Sequence, residues 1–131
     1  MPCRVVSGLQ ISGGDVLNNV GRSGKSALNG DVFDPENYRL LHTVPYIVSM
    51  TNTLEKQVDS RFFISTRPEV DPGYSKIFDG KYVAFGRIVK GVEAVKALDQ
   101  IEVKGGKGIN SGRPKKRVVI KDCGIVPKPY S

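Results

Sequence analysis

Tryptophan is absent from the 131 residues, and cysteine, methionine and histidine number two, two and one. Cys3 and Cys123 stand near opposite ends with no C-x-x-C spacing or Cys/His cluster, so neither a disulfide framework nor a zinc site is indicated. A reducing intracellular compartment is expected, with cytosol, nucleus and mitochondrion left open. The single histidine, His42, has no metal-ligand spacing and no nucleophile or carboxylate that sequence alone sets beside it, so a structural role is expected. Neither a metal nor an organic cofactor is called for. Long apolar runs are missing too: the longest stretch without Asp, Glu, Lys or Arg, residues 40–54, is interrupted by His42 and Pro45, so no membrane span is expected. The opening MPCRVV reaches an arginine at its fourth residue and lacks an apolar signal segment.

Charge, by contrast, is abundant and uneven. Of the formal net +7, the part from residue 101 onward carries +6, eight Lys/Arg against Glu102 and Asp122. The run RPKKR at 113–117 suits nuclear import or phosphate contact, but no aromatic residue interleaves it to stack on bases. Nucleic acid therefore stays open only as a non-specific partner of this run. GRSGKS at 21–26 hints at a phosphate loop, yet the leading glycine of G-x-x-x-x-G-K-[ST] is replaced by Asn19, and turn-forming residues follow where a helix is needed. A glycine-rich surface loop is the expectation.

The chain length suits one domain, residues 1–131. RVVSGLQIS at 4–12 alternates as a strand, with Val5, Leu9 and Ile11 on one face and Arg4, Val6, Gln10 and Ser12 on the other. YIVSM (46–50), RFFIST (61–66), YVAFGRIV (82–89) and RVVIKDCGIV (117–126) read as further short strands. One helix is expected from Val92 to Gln100, with Val92, Val95 and Leu98 on its buried side and Lys96 and Asp99 facing away. Asp79-Gly80 and Gly30-Asp31 are turns. Short strands at turn-marked spacing with one helix imply a mostly β, antiparallel sandwich or barrel.

Five ordered blocks, CRVVSGLQISGGD (3–15), FDPENYRLLHTVPYIVSMTN (33–52), SRFFIST (60–66), DGKYVAFGRIVKGVEAVKAL (79–98) and VVIKDCGIV (118–126), resemble the cyclophilins, a family of peptidyl-prolyl isomerases built on an antiparallel β-barrel. The resemblance covers nearly the whole chain. It implies that Arg4 approaches the prolyl nitrogen, that Phe63 walls the proline pocket, and that Asn52 anchors the substrate backbone. It also implies binding positions at Leu9, Gln10, Ser12, Thr51, Arg61, Phe78 and Tyr82, with proline-containing peptides as partners. Arg61 and Phe63, two apart on one strand, share a face independently of any family match.

Several positions depart from the family pattern. Cys3 replaces the histidine before the arginine, Leu9 and Gln10 replace Phe and Met, and Ser12 replaces Gln. Arg61 stands where a glutamine is usual and is expected to swing out or recruit an anion, since two guanidiniums in one groove repel. Tyr82 matches the pocket histidine and Phe78 the rim leucine, and no indole exists to hold cyclosporin. Loop 54–59 lacks the usual glycines, and the loop at 67–78 is longer than usual. Met1 aligns about fifty residues into the usual domain, so the first two strands and first helix have no counterpart, and unpaired edges are expected. A partner chain or larger assembly would complete such a barrel. The sequence thus supports an X-Pro isomerase with a weakened site, or a cyclophilin-like binding subunit without useful turnover.

Overall fold

The computed structural model describes residues 4–17, 24–28, 30–67, 74–104 and 112–127. Its core is one five-stranded antiparallel sheet, β1 (Arg4–Val6), β2 (Gln10–Gly13), β3 (Ile47–Asn52), β4 (Val58–Ser65) and β5 (Ala84–Arg87), in the spatial order β1-β2-β4-β3-β5. Two helices accompany it, the short α1 (Tyr74–Phe78) and α2 (Val92–Asp99). No helix among the described residues is long and apolar enough to cross a membrane.

The expected strand over 4–12 is a hairpin. β1 and β2 pair with each other, Arg4 opposite Ser12 and Val6 opposite Gln10, around a turn at Ser7-Gly8-Leu9. Gly8 adopts φ 75°, a conformation that side-chain-bearing residues resist, and the turn closes with Leu9 N–H donating to the Val6 carbonyl. Its outer side is held by Asp99, whose Oδ1 and Oδ2 accept from Gly8 N–H at 3.0 and 3.2 Å while Oδ1 also accepts from the Thr66 hydroxyl at 2.7 Å. Asp99 is therefore buried against the hairpin and does not face away from it.

Each face of the sheet carries its own apolar cluster. Val5, Ile11, Ile64 and Val48 form one cross-strand row, and on that face Val5 and Ile11 form a core with Val95 of α2 and Val103, flanked by Ile64 and Leu98. The next row, Arg4, Ser12, Phe63, Ser49 and Ala84, faces the other way, where Phe63 and Phe78 pack with Leu9, Ile77 and Tyr82. Alternation along each strand produces this division, because successive residues point to opposite faces. Leu9, lying in the turn, joins the aromatic side and not Val5 and Ile11.

The strand expected at 117–126 is not formed: residues 117–127 contain no strand, and Val119, Ile120, Ile125 and Val126 are exposed. The apolar, β-branched pattern is present, but of this segment only Val119 is a bridge residue. The expected long loop at 67–78 ends in α1, with residues 68–73 outside the described residues.

Candidate active site

Arg4, Ser12 and Phe63 occupy one row across three adjacent strands, so the guanidinium and the phenyl ring leave the sheet on the same side. With β2 between their strands, their backbones stand about 10 Å apart, twice the usual interstrand spacing. Gln10 and Val6 form the neighbouring row on this face. Arg4 is exposed, and no hydrogen bond or ion pair to another described residue occupies its guanidinium. Its stem lies against Gly112: a Cβ built there would sit 2.5 Å from Cγ and Nε of Arg4. The Gly112 carbonyl also accepts from Val5 N–H at 2.6 Å, which ties this glycine to the strand that carries the arginine.

Phe63 is only 1% exposed. Phe78 lies over it with ring centroids 5.1 Å apart, and Tyr82 meets it edge-on at 5.3 Å. Behind them His42, wholly buried, stacks on Phe63 at 6.2 Å and packs against Phe78 at 5.2 Å. The sequence left His42 without partners, and the fold supplies them: Nδ1 lies 2.9 Å from Asp79 Oδ1 and Nε2 lies 2.6 Å from Ser49 Oγ. A serine, a histidine and an aspartate are thus aligned, but Ser49 is fully buried, so the arrangement braces the aromatic cluster and offers no nucleophile to solvent. Nothing near His42 in sequence announces this, because Asp79 lies 37 positions away.

Asn52 ties the end of β3 to the turn after α1. Its Nδ2 donates to the Lys81 carbonyl at 2.7 Å, while its Oδ1 is buried without a hydrogen-bond partner among the described residues. Lys81 and Tyr82 N–H both donate to the Phe78 carbonyl at 3.1 Å, so Asn52, Phe78 and Tyr82 form one connected rim. Thr51, half-buried, sits where the β3–β4 register shifts between Met50 and Asn52, an irregularity that re-aims side chains at a strand end.

Arg61 does not swing out; of the two expected outcomes it takes the second, and the anion it recruits is the Asp59 carboxylate. Its Nε donates to both Asp59 carboxylate oxygens at 3.1 Å and its Nη2 lies 3.0 Å from Oδ2, with the two side chains 12% and 3% exposed. The charge that would repel Arg4 is neutralised within its own strand. Beside this pair, Gly24 packs so closely that a Cβ would fall 2.5 Å from Asp59 Oδ1, and Lys25 N–H donates to Ser60 Oγ at 3.0 Å. The described end of the glycine loop is therefore docked on β4, with the Lys25 side chain exposed; residues 21–23 lie outside the described residues. Among the described residues no group of three or more His, Cys, Asp or Glu is placed to hold a metal ion.

The structure thus gathers Phe63, Phe78, Tyr82 and Leu9 into one cluster with Asn52 on its rim, and sets Arg4, Ser12 and Gln10 beside it on the same face. Residues 2–125 match the family model described as cyclophilin type peptidyl-prolyl cis-trans isomerase/CLD. The chain is also 35% identical over 125 residues to the Arabidopsis thaliana protein named peptidyl-prolyl cis-trans isomerase CYP21-1. That match takes in 95% of this chain and 50% of the relative, so the chain spans about half the relative's length. A match over this much of the sequence, together with a mostly β antiparallel fold, has one reading: the chain belongs to the cyclophilin-type peptidyl-prolyl cis-trans isomerase family.

Proposed function

We propose that the chain catalyses cis-trans isomerisation of X-Pro bonds in proline-containing peptides, with Arg4 as the donor to the prolyl nitrogen and weakened turnover. The barrier, about 18–20 kcal/mol, comes from amide resonance, and no covalent step is needed to lower it. Twisting the bond localises a lone pair on nitrogen, and a cation aimed at that atom stabilises the twisted state more than the planar one. Each factor of ten in rate requires about 1.4 kcal/mol of such selectivity. The observation that carries the reading is the shared row of Arg4, Ser12 and Phe63, which directs donor and pocket to one side of the sheet. Asn52, held on the rim by its bond to the Lys81 carbonyl, is the residue that anchors the substrate backbone in this reading.

Weakening follows from Phe78, which covers the ring that a proline must touch. Parting an aromatic pair costs about 1 kcal/mol beyond its buried area, which lowers apparent affinity by about fivefold. Gln10, Ser12, Leu9, Thr51 and Tyr82 complete the binding surface in this reading. The test is exchange NMR on an X-Pro peptide with the 131-residue chain and its Arg4→Ala variant. Catalysed exchange that disappears in the variant is expected; equal rates in both would refute Arg4 as the donor.

A second reading, a single domain acting as a binding subunit of a larger assembly, is favoured by exposed apolar surface. Leu40, Leu41, Ile47 and Ala84 line a groove along β5, an edge strand whose Phe85 is also exposed. The exposed free thiol of Cys123 favours a reducing compartment. Peptide binding with undetectable exchange at any concentration would favour this reading over the first.

A further inference from the structure

Lys104 and the basic run Arg113–Arg117 are neither an unattached tail nor remote from Arg4. Val103 and Pro114, both buried, form an antiparallel bridge. On either side of it Lys104 N–H donates to the Arg113 carbonyl and Lys115 N–H to the Glu102 carbonyl, each at 2.8 Å. This short ribbon starts at Gly112, the residue packed on the Arg4 stem and bonded to Val5. It presents Lys104, Arg113, Lys115, Lys116 and Arg117, all exposed, against a single carboxylate, Glu102. Glu102 meets Lys115 Nζ at 3.5 Å with both side chains largely in solvent, a pairing that neutralises little of the field.

Position sets this charge beside the candidate site. Arg113 to Arg117 lie one to five residues beyond Gly112, within about 18 Å of it even if fully extended. An extended peptide advances about 3.3 Å per residue, so that span matches about five residues to one side of a bond held at Arg4. Asp59, the acidic group nearest in sequence to Phe63, is already engaged by Arg61 and is 3% exposed, so it does not offset the ribbon.

We infer that the 102–104/113–117 ribbon is a specificity surface that selects X-Pro segments flanked by acidic residues, either carboxylates or phosphorylated side chains. This inference rests on the peptide-binding reading above and names the substrate class for that same site. An acidic polypeptide is favoured over nucleic acid because the ribbon is continuous with the row of Arg4 and Phe63 and carries no aromatic residue among positions 112–117 on which bases would stack.

The experiment compares three peptides with one X-Pro core: neutral, with three glutamates before the core, and with three glutamates after it. Anisotropy binding and NMR exchange are measured with the wild-type chain and with Lys116→Glu/Arg117→Glu, whose fold is checked by circular dichroism. One acidic peptide is expected to bind about tenfold more tightly than the neutral one at low salt. That preference should vanish when ionic strength rises from about 0.01 M to about 1 M, shrinking the screening length from about 30 Å to about 3 Å. It should also invert or disappear in the double variant. Equal binding of all three peptides, or a preference that survives in the variant, would overturn the inference. So would a single-stranded oligonucleotide that displaces the acidic peptide at lower concentration, which would reassign the ribbon to nucleic acid. Failure of the catalytic reading looks different: no peptide is exchanged, while the binding preference still answers the question of specificity.

Discussion

Replacing Gly112 by alanine perturbs Arg4 without touching the arginine itself. The new Cβ would lie 2.5 Å from Cγ and Nε and 3.0 Å from Cδ of Arg4, whereas an ordinary contact begins at 3.4 Å, so the stem must retreat by about 0.9 Å. Arg4 is exposed and its guanidinium is unengaged among the described residues, so the side chain yields before the backbone does. A rotamer shift of this kind costs about 0.5–1.5 kcal/mol, which sets the expected loss of stability. Misplacing a reacting group by about 1 Å costs about a hundredfold in rate, equivalent to about 2.7 kcal/mol on the barrier. Exchange NMR on an X-Pro peptide gives the rate, urea unfolding gives the stability, and Gly124→Ala is the control, because a Cβ there meets nothing within 4 Å. If Gly112→Ala keeps the wild-type rate while its melting is unchanged, Arg4 is not the operative donor. A rate loss matched by collapse of the fold would also refute the reasoning, since the effect would then belong to the scaffold.

Phe78→Leu, which shortens the side chain lying over Phe63, is expected to raise kcat/KM severalfold while lowering stability by about 1 kcal/mol; calorimetry and exchange rates on one preparation check both. Asp99→Ala removes the acceptor of the Gly8 N–H and the Thr66 hydroxyl, with an expected loss of about 2–3 kcal/mol in urea unfolding. A loss below about 0.5 kcal/mol would mean that the hairpin turn is held without Asp99. Asp59→Ala strands the Arg61 guanidinium in a site where it is 12% exposed, and should cost about 3 kcal/mol. Asp59→Ala/Arg61→Leu should recover much of that loss, and equal melting of the single and double variants would argue against a buried pair.

The β-rich antiparallel architecture was legible because alternation and turn residues are local signals. The face assignment of Arg4, Gln10 and Ser12 was right, yet the element carrying them was misread. A turn of three residues, Ser7 to Leu9, preserves the parity of the alternation, so a straight strand and a hairpin put the same residues on one face. The strand expected at 117–126 shrinks to one bridge residue, Val119: its pattern is strand-like, but the extent of pairing depends on the neighbour as well as on the sequence. Arg61 carried a usable signal, since Asp59 lies two positions earlier and hence on the same face. His42 offered none, because its bonds reach Ser49 and Asp79 through tertiary packing alone.

The sheet order puts Phe63 on β4, a strand paired on both sides, and Arg4 on β1, a three-residue edge strand tethered outside the sheet by Val5 N–H to Gly112. Amide deuteration should accordingly run early along residues 4–6 and late along 62–64, so that the charged arm breathes while the aromatic floor stays fixed. Evolution or engineering that sought a faster catalyst from this scaffold would gain more by stiffening the rim around that arm than by reshaping the floor.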